Sequence, residues 1–212
     1  EASDLSYQLI KYQSRGGWSH KDVLCKSHPT PANDTQNIQF NWAVKGWPEV
    51  GAVPHENADV VAIWASERAK RATSPAEIVK LISEYGLPRE CIPTQFLNSV
   101  EVWEALLDNS GKGMPLTAMV RNLAKMTAIG LIAPMSDAVK FIVKSLKDEK
   151  KLKSSRMHPL QILLATRTYG QGHGDKGKLT WNAERRILDA LEDAFYATFK
   201  NVEPTGKRWL IG

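Results

Sequence analysis

Apolar residues recur every three or four positions along almost the whole chain, the spacing that places them on one face of an α-helix. No segment shows a convincing alternating pattern of a β-strand, and the nearest is the terminal RWLIG. The pattern therefore predicts an all-α protein of about eight to ten helices joined by short loops. The predicted buried stripes are Leu5, Leu9 and Tyr12; Ile78, Leu81, Ile82 and Tyr85; Leu116, Met119, Val120 and Leu123; Val139, Ile142, Val143 and Leu146; Leu160, Leu163 and Leu164; and Ile187, Leu188, Leu191, Phe195 and Phe199.

Residues typical of helix ends stand at the edges of these stripes. Ser19 with Asp22 three residues later resembles a capping box, and the first helix is predicted to end at Gly16-Gly17. Loops are predicted at residues 109–113 and 169–178, which are rich in glycine. Because no clean repeat is visible, the series favours stacked helix pairs in a solenoid of degenerate repeats.

The positive charge is unevenly distributed. The net charge is +5, but residues 112–178 hold 13 Lys and Arg against 4 Asp and Glu, whereas residues 54–110 hold 5 against 9. A basic side of this kind is typical of proteins that bind nucleic acid. The alternative is a hydrated lysine-rich face that favours solubility.

Other bulk features narrow the class of protein. No run of about 18 apolar residues exists, so no membrane partner is expected. Two cysteines are too few for a disulfide framework, which indicates a reducing compartment and a cytoplasmic location.

The stretch RGGWSHKDVLCKSH, residues 15–28, suggests a metal site or a catalytic pair. On a helix, His20, Cys25 and His28 would spread over about 140° and would not converge on one ion. A Cys-His nucleophile has the same difficulty, so neither a metal site nor a catalytic residue is predicted. The loop YGQGHGDKGK matches no nucleotide-binding motif. It is either a helix end followed by a turn or a backbone contact of Lys176 and Lys178 with nucleic acid.

Rows of cations at helical spacing suit the regular phosphates of a nucleic acid. Lys11 and Arg15 are four apart on the predicted first helix and should lie one above the other on its exposed face. Taken singly, each row is more often an ordinary hydrated helix face, but several such rows together favour binding of nucleic acid. The other members of the rows are Lys21 and Lys26 on the next short helix, with His28 at the end of that helix; Arg121 and Lys125; and Lys140, Lys144, Lys147 and Lys151.

Tryptophans could stack on bases, but the sequence favours packing roles. Trp18 precedes a predicted N-cap and is expected to staple the start of that helix. Trp64 lies within an apolar stripe, and neither Trp42 nor Trp47 is assigned to stacking.

Five blocks of sequence resemble successive parts of the TROVE module of the Ro autoantigen family. They are KYQSRGGWSHKDVLCKSHPTP, EVWEALL, MPLTAMVRNLAKMT, HPLQILLATRTYGQGHGDKGKLTW and AFYATFKNVEPTGKRWLI. The resemblance runs over nearly the whole chain. It implies a HEAT-like helical repeat array, shaped as an arc that forms part of a ring.

The resemblance also implies a function. Family members are RNA-binding scaffolds of small cytoplasmic ribonucleoproteins. They bind Y RNAs on the outer surface and the 3′ ends of misfolded small non-coding RNAs in the ring, in RNA quality control without enzymatic activity. Matched motif by motif, the outer-surface contacts fall on Lys11, Arg15 and His28. Lys21, Arg121, Lys125, Lys140 and Lys144 are predicted as further RNA-binding residues.

The resemblance sets expectations for domains as well. Residues 1–206 correspond to the C-terminal part of the module, and residues 207–212 to the start of a strand of a von Willebrand A domain. The metal motif DxSxS of that domain is missing, so no magnesium and no cofactor is expected. The chain is expected to be a fragment or a reduced relative, whose partner could be a von Willebrand A domain or the rest of the ring. Ala124 stands where the family usually has glycine.

Two rival functions remain from the sequence. A protein-interaction helical-repeat scaffold is the alternative, because the acidic residues 54–110 could hold a basic partner. An enzyme ranks last, since the basic region is poor in the carboxylates that a metal-dependent reaction needs.

Overall fold

A computed structural model gives the fold of residues 2–46, 58–108, 113–174, 177–204 and 206–207. These residues form eleven α-helices, three short 3-10 helices and one two-stranded hairpin, and the chain divides into two compact units between Gly113 and Met114. The predicted all-α class is therefore confirmed. No helix in these ranges is long and apolar enough to cross a membrane.

In the first unit, residues 1–113, the described residues form six α-helices and the hairpin. Its elements are α1 Ala2–Lys11, β1 Ser14–Arg15, β2 Trp18–Ser19, α2 His20–Ser27, α3 Asp34–Lys45, α4 Ala58–Lys70, α5 Pro75–Tyr85, the 3-10 helices Arg89–Cys91 and Thr94–Asn98, and α6 Val100–Asp108. Helix α1 packs against α3 and α4, α4 packs against α5, and α5 packs against α6.

The core of the first unit is apolar with a few internal hydrogen bonds. Ile10, Ile63 and Trp103 are almost fully buried. The Trp103 indole N–H donates to the Leu97 carbonyl oxygen over 2.9 Å, which satisfies the one polar group of that side chain. Ser6 of α1 accepts a buried hydrogen bond of 2.8 Å from the Gln39 amide of α3.

In the second unit, residues 114–212, the part that the structure describes forms five α-helices. They are α7 Leu116–Ala128, α8 Asp137–Leu146, α9 Glu149–Ser155, α10 Pro159–Gly170 and α11 Arg185–Thr198, followed by the 3-10 helix Phe199–Asn201. Helix α11 packs against α8, α9 and α10, and its buried residues Ile187 and Leu191 lie at the centre of the unit.

A polar cluster fixes the segment after α10. The Tyr169 hydroxyl accepts from the Glu184 backbone N–H over 3.1 Å and lies 2.9 Å from the Thr127 hydroxyl. The Trp181 indole N–H donates to the Tyr169 carbonyl over 2.8 Å, and the two rings stack. The first two residues of the predicted loop at 169–178 still belong to α10, which ends at Gly170. Residues 175 and 176, including Lys176, lie outside the described residues.

The predicted end of the first helix and the predicted burial of Tyr12 are wrong. Helix α1 ends at Lys11 rather than at Gly16-Gly17, and Tyr12 beyond it is exposed. The reason is the Gly16-Gly17 pair itself: both have positive φ, 60° and 83°, as a two-residue hairpin turn requires, so the residues on either side pair as strands.

The predicted stripe on α10 is also wrong, because Leu160, Leu163 and Leu164 are exposed. The buried face of α10 carries Pro159, Ile162 and Tyr169 instead. Two faces of this helix are apolar, and helical spacing alone does not say which one meets a neighbour. Phe199, predicted to be buried, is likewise exposed.

The predicted row of lysines does not run along one helix. Lys140 and Lys144 lie on α8, which ends at Leu146, whereas Lys151 lies on α9. Asp148 caps the new helix through its side chain and so breaks the row. The predictions for Trp47, for the loop at 109–112 and for the terminal strand at 208–212 fall outside the described residues.

Candidate nucleic-acid interface

The segment of residues 11–28, called the basic hairpin here, presents a short antiparallel ladder and a short helix. In the ladder Ser14 pairs with Ser19, and Arg15 pairs with Trp18. Residues directly opposite each other in an antiparallel pair have their side chains on the same face, about 5 Å apart at Cβ. Arg15 and Trp18 are therefore neighbours, although the sequence placed Arg15 on a helix above Lys11.

The capping box predicted at Ser19 is confirmed. Its second member, Asp22, is the one acidic residue of the basic hairpin. The Asp22 carboxylate accepts from the Ser19 backbone N–H over 2.8 Å and from the Ser19 hydroxyl over 2.6 Å. These bonds hold the pKa of Asp22 below its usual range, with a smaller contribution from Lys26 and Lys21. Asp22 thus stabilises the start of α2 and forms no ion pair with a described cation.

The cations around this turn are exposed and lack described acidic partners. Arg15, Lys21 and Lys26 each form no ion pair with any acidic residue in the described ranges. The Lys26 ammonium lies 5.3 Å from the centre of the Trp18 ring. Their charge is therefore available to an anionic ligand.

Trp18 differs from its predicted role. A staple would bury it against Val23, four positions into α2, but Trp18 is 56% exposed and Val23 is exposed as well. The Gly16-Gly17 pair is the sequence signal for the exposure of Trp18. Two consecutive glycines indicate a hairpin turn, and a hairpin places Trp18 on a two-stranded ribbon with one open face.

Lys11 ends α1 and lies among tyrosines. Its ammonium donates to the Tyr7 hydroxyl over 3.2 Å and lies 5.1 Å and 5.5 Å from the Tyr7 and Tyr12 rings. Partial burial acts to lower the Lys11 pKa, but the hydrogen bond to Tyr7, with attraction from Glu90, outweighs it and raises the pKa. Lys11 is therefore a fixed, permanently charged cation at neutral pH.

His28 lies at the end of α2, as predicted. It is the C-cap residue in the left-handed conformation, and its backbone N–H donates to the Leu24 carbonyl over 3.0 Å. Its side chain is exposed and lines a cleft of about 390 Å³ between α2 and α3, with Cys25, Pro29 and Phe40. A ligand on α2 could reach this cleft.

In the second predicted group of cations, residues 140–153 and called the lysine region here, two of the six lysines form ion pairs with described acidic residues. The Lys140 ammonium lies 2.8 Å from the Asp137 carboxylate, and Lys147 lies 3.0 Å from Asp193 of α11. The hydrogen bond and charge of Lys140 hold the pKa of Asp137 below its usual range. Lys144 is exposed and forms no ion pair with a described acidic residue.

The remaining predicted contacts are on α7. Arg121 is exposed there and forms no ion pair with an acidic residue in the described ranges, whereas Lys125 is half-buried. Both belong to the second unit, so the structure groups them apart from Lys11, Arg15 and His28.

The described thiols and histidines form no metal site. In the part of the chain that the structure describes, no group of three His, Cys, Asp or Glu side chains is placed to hold a metal ion. Burial raises the pKa of the Cys91 thiol to about 12, so that thiol is protonated, whereas Cys25 is exposed.

Comparisons with known proteins agree on one family. The model of the TROVE domain matches residues 62–168. The RNA-binding protein RO60 of Caenorhabditis elegans is 38% identical over 98% of this chain, and that of Deinococcus radiodurans is 33% identical over all of it. The chain spans 38% of the length of each of these relatives.

A solved structure matches the fold. It is the crystal structure of the Deinococcus radiodurans RO (RSR) protein, which superposes with a TM-score of 0.78 at 33% identity. The match covers 98% of this chain and 40% of that one.

Proposed function

The chain belongs to the TROVE-domain family, and from this premise we propose that it is an RNA-binding helical scaffold. The observation that carries the proposal is the basic hairpin. There, Arg15, Lys21 and Lys26 are exposed and have no described acidic partner. Cations without partners can neutralise phosphates and release counterions, which is the main source of affinity for nucleic acid.

The proposal extends to the kind of RNA and the biological role. We propose that the ligands are Y-type RNAs and misfolded small non-coding RNAs, bound in cytoplasmic RNA quality control without turnover. In support, both relatives are named RNA-binding proteins, and the motif residues Lys11, Arg15 and His28 all lie within the basic hairpin. The HEAT-like arrangement is part of this proposal.

The lysine region is proposed as a weaker, additional contact. Lys140 is already paired with Asp137, so a phosphate would have to compete with a carboxylate at 2.8 Å. Arg121, Lys125 and Lys144 are proposed as secondary contacts to the RNA backbone.

Binding of purified chain to labelled nucleic acids tests this function. A small stem-loop RNA should bind in preference to a DNA duplex of the same length, because unpaired loops expose bases and 2′-hydroxyls. The logarithm of the association constant should fall linearly with the logarithm of salt concentration. Absence of RNA binding at low salt, or equal affinity for the duplex, would contradict the proposal.

Protein binding is the second candidate function, and the exposed face of α10 favours it. Leu160, Leu163 and Leu164 form an apolar face that no described residue buries. A photoreactive side chain placed at Leu163 would distinguish the candidates in cells. Adducts with protein that survive nuclease treatment would support protein binding, whereas adducts with RNA alone would contradict it.

A further inference from the structure

We infer that Trp18 is a stacking site for one unpaired nucleobase, with Arg15 and Lys26 as contacts for the phosphates beside it. The inference rests on the proposed function and adds a ligand class and a position to it. It assigns a site for single-stranded RNA to the face of the hairpin. The resemblance to the family named only Lys11, Arg15 and His28 as contacts there.

The environment of Trp18 differs from that of the buried tryptophans. Trp42, Trp103 and Trp181 are buried, and each donates its indole N–H, to Glu67, to the Leu97 carbonyl and to the Tyr169 carbonyl respectively. Trp18 is more than half exposed, and its indole N–H has no partner among the described residues. Packing of the core therefore does not account for a tryptophan at this position.

The neighbours of Trp18 suit a nucleotide. Arg15 lies across the ladder, and the Lys26 ammonium lies over the ring at 5.3 Å. An aromatic ring stacks on a base of any sequence, while cations beside it hold the backbone. With Lys26 at one face of the indole, the remaining exposed ring surface can take a planar base.

The backbone holds this group of side chains in place. The Gly16-Gly17 turn fixes the ladder, and the capping box ties Ser19 to Asp22 at the start of α2. A pre-organised aromatic side chain loses little conformational entropy on binding, which favours affinity. An acidic peptide could also meet the cations, but it would gain nothing specific from a flat aromatic face.

Two probes separate stacking from charge: a short oligouridylate and an abasic strand of the same length. Trp18→Ala should weaken oligouridylate binding by about 5- to 100-fold, the range for the loss of one stacked base. It should leave binding of the abasic strand and the salt slope unchanged. Trp18→Phe should restore most of the affinity.

Two control variants make the test specific. Arg15→Ala should weaken both probes alike and reduce the salt slope by about 0.7, the value for one phosphate contact of a single strand. Tyr196→Ala removes an aromatic side chain of the second unit that is 66% exposed, and it should affect neither probe.

Four results would overturn the stacking site at Trp18, and one of them would also overturn the proposed function. Oligouridylate binding by Trp18→Ala within about twofold of the parent, or an equal loss on both probes, would overturn the stacking site and leave the proposed function intact. Binding of an acidic peptide that falls as much as RNA binding in Trp18→Ala would also overturn it. A parent chain that binds no RNA would overturn the proposed function and this site together.

Discussion

The basic hairpin and the lysine region are both rich in positive charge, but of these two only the lysine region has cations that form ion pairs with described acidic residues. In the basic hairpin the sole acidic side chain, Asp22, is committed to a helix cap. In the lysine region Asp137 and Asp193 neutralise Lys140 and Lys147. No cation of the basic hairpin forms an ion pair with a described acidic residue, whereas two of the six lysines in the lysine region do.

The difference shows that net charge along a chain is a poor guide to an interface. Asp193 on α11 is distant in sequence from Lys147, and Glu149 is similarly paired with Lys200. Such exposed ion pairs contribute about 0–1 kcal/mol to stability. They nevertheless change what an approaching phosphate meets, because the cation already has a partner.

The largest expected effect is on the basic hairpin. The double substitution Lys11→Ala and Arg15→Ala should weaken binding of a stem-loop RNA by about 10- to 100-fold at moderate salt, since two charged contacts are lost. Fluorescence anisotropy measures the dissociation constant. Arg15 is exposed and Lys11 half-buried, so a melting curve must show that the variant is folded. An unchanged dissociation constant would remove these residues from the interface.

A pair of glycines gives a matched comparison of the two units. Gly17 and Gly130 have nearly equal positive φ, 83° and 86°, and a Cβ at either position would meet nothing within 4 Å. Alanine at either position should cost about 1–2 kcal/mol of stability because of backbone strain.

Only Gly17→Ala should also weaken RNA binding, by about fivefold, because it distorts the ladder that presents Arg15 and Trp18. Denaturant unfolding and anisotropy measured on both variants give the two quantities. If both variants lost affinity equally, general destabilisation and not the hairpin geometry would explain the loss.

Removal of charge from the lysine region should have a smaller effect. Lys140→Ala with Lys144→Ala deletes the same number of cations as the first double substitution, but one of them is already neutralised. The dissociation constant should rise by less than about threefold. A loss as large as that of the Lys11 and Arg15 variant would reverse the ranking of the two regions.

The smallest expected effect is a gain. Asp137→Asn frees Lys140 from its partner and removes one negative charge beside it. RNA affinity should rise by less than about twofold at low salt, and the gain should vanish at high salt as the charges are screened. Affinity that falls in this variant would show that the pair itself positions a contact.

The helices themselves could be predicted because their signals are local. Ser19 with Asp22 forms the predicted capping box, Ser74 caps α5 by accepting from the Glu77 backbone N–H, and Gly86 ends α5 in the left-handed conformation. Each cap depends on residues within one turn, which the sequence displays directly. The same locality located His28 at a helix end.

The candidate site was only partly predictable. The sequence named Arg15 and His28, but it placed Arg15 on a helix and assigned Trp18 to packing. Strands of two residues are too short to show the alternation of apolar and polar residues that predicts a strand. The helical spacing of the residues before the hairpin therefore led to the prediction of a helix there. The neighbours of Trp18 depend on strand register and on the side-chain position of Lys26, neither of which periodicity reports.

By itself the sequence determined the all-α class, the start of α2 and the family, because spacing, caps and motifs are properties of contiguous residues. Only the tertiary structure decided which apolar face of α10 is buried and which cations are left without an acidic partner. Both depend on residues brought together from distant helices, such as Lys147 with Asp193, and contacts of this kind arise only when the chain is packed.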